Sequence, residues 1–125
     1  VTLRGRPVND EMLAALCAIP TLRRLNLPQT TITDEGLEAL RQRPQLVQLR
    51  IGGQAITDDG MMPISDLPNL RALHLVDIPI TDRGLEHLQR LTSLESLYID
   101  GAAITDDGIE RLLKKLPDLH FHIDQ

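Results

Sequence analysis

With 125 residues, a net charge of −5 and only 2% aromatics, the chain fits one domain with an interior built from aliphatic side chains. The acidic balance, with a pI near 5.2, argues against general nucleic-acid affinity, which rests on Lys and Arg neutralising phosphates. No apolar run reaches the length of a membrane span, and Cys17 is the single cysteine, so no intramolecular disulfide can form.

The first element is an edge strand at Val1–Leu3, followed by Val8-Asn9-Asp10. A helix is expected over Met12–Ile19. After Glu11 it has no charged residue, whereas a solenoid end usually carries a polar capping face. Its outer side therefore calls for a cover, either an upstream segment or another molecule. The plainer alternative is that its alanines simply stand in solvent. The first residue is Val, which leaves open a preceding signal or anchor; the compartment is open between cell envelope, secreted and cytoplasmic.

From Leu22 onward the chain is periodic. L-x-x-L-x-[LI] appears as Leu22-Leu25-Leu27, Leu46-Leu49-Ile51, Leu70-Leu73-Leu75 and Leu94-Leu97-Ile99, and every 24 residues Ile32, Ile56, Ile80 and Ile104 begin Ile-Thr-Asp. Alternation of Leu25 and Leu27 with Arg24, Asn26 and Pro28 predicts a half-buried strand. Thr33-Asp34-Glu35 predicts a helix start, with Thr as N-cap and acids at the positive end of the dipole. Leu37 and Leu40 then face inward and Pro44 stops the helix. Gly36, Gly60, Gly84 and Gly108 recur at one position, which predicts close packing of neighbouring helices, because glycine otherwise costs about 1 kcal/mol there. Met61-Met62-Pro63 predicts a short, kinked or partly 3₁₀ helix. Gly52-Gly53 reads as loop. Lys114 and Lys115 close the last helix, and Leu119–Ile123 forms a final strand with Phe121 plugging the last slot. Identical strands stack about 4.8 Å apart, while helices are about 10 Å thick, so the stack must bend with its strands inside.

These motifs resemble the leucine-rich repeats, in particular the 24-residue form common in bacterial proteins, across nearly all of residues 1–123. The resemblance implies an α/β fold: a right-handed leucine-rich-repeat solenoid, or horseshoe, with a parallel sheet on the concave side and helices on the convex side. It would form one domain over 1–125, with repeats near 1–21, 22–45, 46–69, 70–93 and 94–118 and a capping strand at 119–123. The family often places Asn or Cys three residues after the last strand leucine, as a hydrogen-bonded ladder. Here that column reads Arg6, Thr30, Gln54, Ile78 and Ala102, so loop amides must be satisfied another way. The capping cysteine clusters of many extracellular members are absent.

The resemblance also implies a non-catalytic protein–protein interaction scaffold, and the sequence places the variable surface. Outward strand positions form three columns: Arg24, Gln48, Ala72, Ser96; Thr2, Asn26, Arg50, His74, Tyr98; and Arg4, Pro28, Gly52, Val76, Asp100. Arg4, Arg24, Asn26, Gln48, Arg50, His74, Ser96, Tyr98 and Asp100 are the expected partner-binding residues, with Arg50, His74 and Tyr98 central because Tyr and Arg are favoured at hot spots. Arg4, Arg24 and Arg50, near Arg6, Arg23 and Arg71, make one half basic; Glu95 and Asp100 make the other acidic. The partner is thus another protein or peptide, acidic where it meets the Arg-rich half. The plainer alternative is a solvated sheet face. The alternative function is structural docking through the apolar N-terminal end, or the strand edge, onto an upstream domain or a second copy.

No cofactor is called for. His120, His122 and Asp124 point one way on the last strand and are a candidate metal set, but their alternation with Leu119, Phe121 and Ile123 already explains them as ordinary in-out patterning, so no metal is called for. Asp34, Asp58, Asp82 and Asp106 read as helix starts and not as a catalytic series. Cys17, in an apolar helix with no basic residue near it, reads as unreactive.

Overall fold

A computed structural model describes residues 7–124; Val1–Leu3, Arg4 and Arg6 lie outside the described residues, as does Gln125. Helix α1 (Asp10–Cys17) precedes strand β1 (Arg24–Thr30), and a 3₁₀ turn (Gly36–Gln42) leads to β2 (Gln48–Gly53). A short 3₁₀ segment (Asp58–Gly60) runs into α2 (Met61–Ser65), then β3 (Ala72–Val76), α3 (Asp82–Leu88), β4 (Ser96–Asp100), α4 (Asp106–Lys115) and β5 (His120–Asp124). The five strands form one open parallel sheet in sequence order, with the helices on its other side.

Between the two layers lies a continuous aliphatic core. The inward strand residues Leu25, Leu27, Leu49, Ile51, Leu73, Leu75, Leu97 and Ile99 are buried, as are Ile32, Ile56 and Ile80. Because the strand period is two, burying these residues forces the intervening side chains to the opposite face. In the three middle repeats the expected inward pair of the helical segment is also buried: Leu37 and Leu40, Met61 and Ile64, Leu85 and Leu88. In the last repeat Ile104 and Ile109 are half-buried, and Phe121 only leans on the core instead of plugging it, because no further repeat covers it among the described residues.

Several expectations are revised. The element after Thr33 is a 3₁₀ helix; its two inward contacts are three residues apart, a spacing that three residues per turn serves as well as an α-helix. Gly52 and Gly53 belong to β2. Gly52 is buried, and a Cβ there would run into the carbonyl oxygens of Pro28 and Val76 on both flanking strands. Opposite it, β1 has a register break between Leu27 and Thr30, around a proline that cannot donate to the ladder. The proline in α2 leaves that helix at five residues, entered through a 3₁₀ turn. The outward side of α1 is small: Ala14, Ala15 and Ala18 are exposed, with Ile19 beside them.

The aspartate column does more than begin helices. Asp10, Asp34, Asp58 and Asp82 each accept two hydrogen bonds from the threonine 23 residues later. Asp10 takes the Thr33 amide at 2.8 Å and its hydroxyl at 2.7 Å. Asp58 takes those of Thr81 at 2.7 and 2.6 Å, and Asp82 those of Thr105 at 2.8 and 2.5 Å; Asp34 does the same for Thr57. Each threonine hydroxyl in turn accepts an amide of its own helix start. The strand-end column keeps only isolated links, from Thr30 to the Gly52 carbonyl and from Gln54 to the Asp77 carbonyl; the continuous polar ladder stands at the helix entrance. It also explains the glycines, since a Cβ at Gly84 would lie 2.6 Å from Asp58 Oδ1, and those at Gly36, Gly60 and Gly108 would meet Asp10, Asp34 and Asp82 in the same way.

Candidate functional site

The concave face carries the first two columns in register, and the third from Gly52 through Val76 to Asp100. Arg24, Gln48, Ala72, Ser96 and His120 pair in one row, and Asn26, Arg50, His74, Tyr98 and His122 in the next. Arg50 links its two neighbours in the second row. Its Nη1 donates to Asn26 Oδ1 at 3.0 Å and its Nε to His74 Nδ1 at 3.3 Å. Since arginine is always a donor, His74 Nδ1 must accept, which puts the ring proton on Nε2. That nitrogen faces Asp100 Oδ2 at 2.8 Å and donates to it. One relay thus runs across four strands from Asn26 to Asp100.

Beyond His74 the row becomes aromatic. Tyr98 lies 5.6 Å from the His74 ring and stacks on His122 at 4.7 Å and 13°. It is 38% exposed, which makes it one of the large apolar side chains that the described fold leaves in solvent. Between the two rows is a hollow of about 190 Å³ lined by Gln48, Arg50, Ala72, His74, Ser96 and Tyr98 over Leu49 and Leu73. Ala72 creates it by being smaller than Gln48 and Ser96 beside it. Its sequence signal was its size, the smallest side chain in the first column, and the expected site residues did not include it.

Of those expected residues, Gln48, Arg50, His74, Ser96 and Tyr98 line the hollow, while Asn26 and Asp100 support it from either end. Arg24 stands exposed at the start of β1, away from the hollow, and Arg4 is outside the described residues. Three members of the expected charge gradient are engaged within the chain. Arg71 and Glu95, one repeat apart, bond to each other at 2.8 Å, and Asp100 is engaged by His74. Neither arrangement is visible to a linear count of charges.

On β5, His120 and His122 are exposed, with their Nε2 atoms 2.9 Å apart. Asp124 pairs with Asp100 along the backbone; its side chain lies outside what is described. Among the described residues no cluster of three His, Cys, Asp or Glu forms. Cys17 is fully buried, and burial pushes its thiol up despite the opposing charge of Arg43. Arg43 is the basic neighbour that the sequence concealed, since it arrives from the next repeat and donates to the Cys17 carbonyl. On the convex side Asp66 sits between Arg41 and Arg90. The hydrogen bond from Arg41 and the two positive charges hold its carboxyl below the usual range.

A family model described as "Leucine Rich repeat" matches residues 18–40 and 90–113, two stretches in equivalent positions of this solenoid. Both stretches are leucine-rich repeats. Among solved structures, the chain is similar to internalin C2 of Listeria monocytogenes, with 27% identity and a TM-score of 0.69 over 90% of this chain and 48% of that one. A leucine-rich-repeat protein of Leptospira interrogans matches at 23% identity and 0.63, over 90% and 27%. A second Listeria monocytogenes internalin matches at 23% and 0.57, over 87% and 36%; these last two speak for the fold alone. The chain spans about half or less of the length of these structures. No curated protein matches it by sequence. Leucine-rich-repeat proteins in general act by binding other proteins.

Proposed function

We propose that this chain is a non-catalytic protein-recognition module whose partner, a protein or peptide segment, seats on the concave face around the hollow over Ala72. The observation that carries this is the position of the hollow, between the two rows whose residues change at nearly every repeat, with Arg50, His74 and Tyr98 on its rim. Arg50 is already held by Asn26 and His74, so little side-chain freedom remains to be lost on binding. No carboxylate lines the hollow, which favours an acidic side chain of the partner opposite Arg50.

The test is to select peptides from a displayed random library on the purified chain and measure them against an Arg50→Ala, Tyr98→Ala double variant. Selected peptides should lose at least about tenfold in affinity, given that such anchors each carry about 1–2 kcal/mol or more, and should be enriched in Asp and Glu. Equal binding to the double variant moves the site off this face.

A second reading, docking through the N-terminal end, is favoured by the exposed Ile19 beside Ala14, Ala15 and Ala18. A strictly monomeric mass by light scattering at high concentration would remove its self-association form.

A further inference from the structure

We propose that His120 and His122 form a two-point chelating site for a late first-row divalent cation, with Cu²⁺ as the best fit. A strand places residues i and i+2 on one face, and here the two rings converge: their Nε2 atoms are 2.9 Å apart, with ring centroids 4.6 Å apart. Two imidazole nitrogens bound at about 2.0–2.1 Å and a right angle would lie about 2.9 Å apart, whereas a tetrahedral ion would need about 3.4 Å. The spacing therefore matches the square-planar or tetragonal coordination of Cu²⁺ or Ni²⁺ better than Zn²⁺. Copper takes precedence because nitrogen ligands bind it most tightly in the divalent series.

The surroundings prepare the pair. Tyr98 stacks on His122 and lies 6.2 Å from His120, forming a wall that fixes one ring and limits the other. Without metal, one Nε2 donates its proton to the other; to bind the ion, the donor ring gives up its Nε2 proton and takes one on Nδ1 through solvent, so that both rings stay neutral and offer an Nε2 lone pair. The chain's remaining histidines are unsuited to the role. His74 has both nitrogens engaged, by Arg50 and Asp100, and the Nε2 of His87 is buried. Both chelating rings are exposed, so the other coordination positions are open to water or to a donor from a bound partner.

The chain supplies its own reporter. Tyr98 is the only tyrosine and there is no tryptophan, so ultraviolet-excited emission comes essentially from the residue stacked on the site. Untagged protein should be titrated with Cu²⁺ while Tyr98 emission is followed. Saturable quenching at one equivalent is expected, with nitrogen couplings in the electron paramagnetic resonance spectrum. His120→Ala and His122→Ala singly should each weaken binding on the order of 10²-fold, the loss expected when the second of two linked contacts is removed. Far-UV circular dichroism would verify that both variants fold, as exposed positions should allow. Quenching that persists unchanged in the two variants, a spectrum without nitrogen coupling, or no saturation in the wild-type chain would overturn the site.

Discussion

Replacing Asp58 with Ala tests whether the repeated aspartate is a ladder rung or merely a helix start. Asp58 accepts the amide and the hydroxyl of Thr81 from the following repeat. Bonds to a charged acceptor are worth about 1.5–3 kcal/mol each when buried. Thr81 is exposed, and water replaces part of what is lost, so the ladder contribution should be about 1–1.5 kcal/mol in total. The charge at the helix entrance adds about 0.3–1 kcal/mol. Asp106 supplies the control: it occupies the same place at the start of α4, and the last rung among the described residues is that of Asp82 with Thr105. Asp106→Ala should therefore cost only the dipole share. By thermal and urea unfolding, Asp58→Ala should be less stable than Asp106→Ala by about 1 kcal/mol, roughly 3–5 °C in Tm for a chain of this size. Equal losses at the two positions would refute the ladder and restore the helix-start explanation.

Gly84→Ala should destabilise by about 1–3 kcal/mol, because its methyl would stand 2.6 Å from Asp58 Oδ1, a carboxylate that Thr81 holds in place. The same change in an Asp58→Ala background should cost clearly less, and additive losses in a double-mutant cycle would show the two groups to be independent. Acid should weaken the fold through its paired carboxylates. The Thr105 hydroxyl and amide hold the Asp82 carboxyl below its usual value, and Asp66 is lowered chiefly by Arg41. A group depressed in the folded state contributes stability that is present above its unfolded value, near about 3.9, and is lost as pH falls through the folded value. Both carboxylates are partly open to solvent, and screening keeps the effect modest. Asp82→Asn should flatten the acid limb of a Tm-against-pH curve, and an unchanged limb would contradict this.

The periodic residues were legible because each answers to local rules. Leu25 and Leu27 alternate, so one face of β1 had to be buried; Leu37 and Leu40 are three apart, so they had to share a side of any helix. The Asp column was legible as a helix start and incomplete in every other respect. Its partner is a threonine 23 residues away, and its demand for Gly84 comes from a contact between repeats. Arg43 against Cys17 and Glu95 against Arg71 were hidden for the same reason. The middle column named Arg50, His74 and Tyr98 in advance, but not that Arg50 is clamped between Asn26 and His74, nor that Ala72 opens a hollow beside them.

By itself, then, the 24-residue period determined the parallel sheet, the aliphatic core and the outward position of the variable side chains, because strand and helix periodicities act over neighbouring residues. Only the stacking of one repeat on the next decided how those outward groups combine. It brought residues 24 apart in the chain to strand spacing, where hydrogen bonds, ring contacts and steric limits between repeats could act. The ladder, the hollow and the histidine pair beside Tyr98 all arise at that distance.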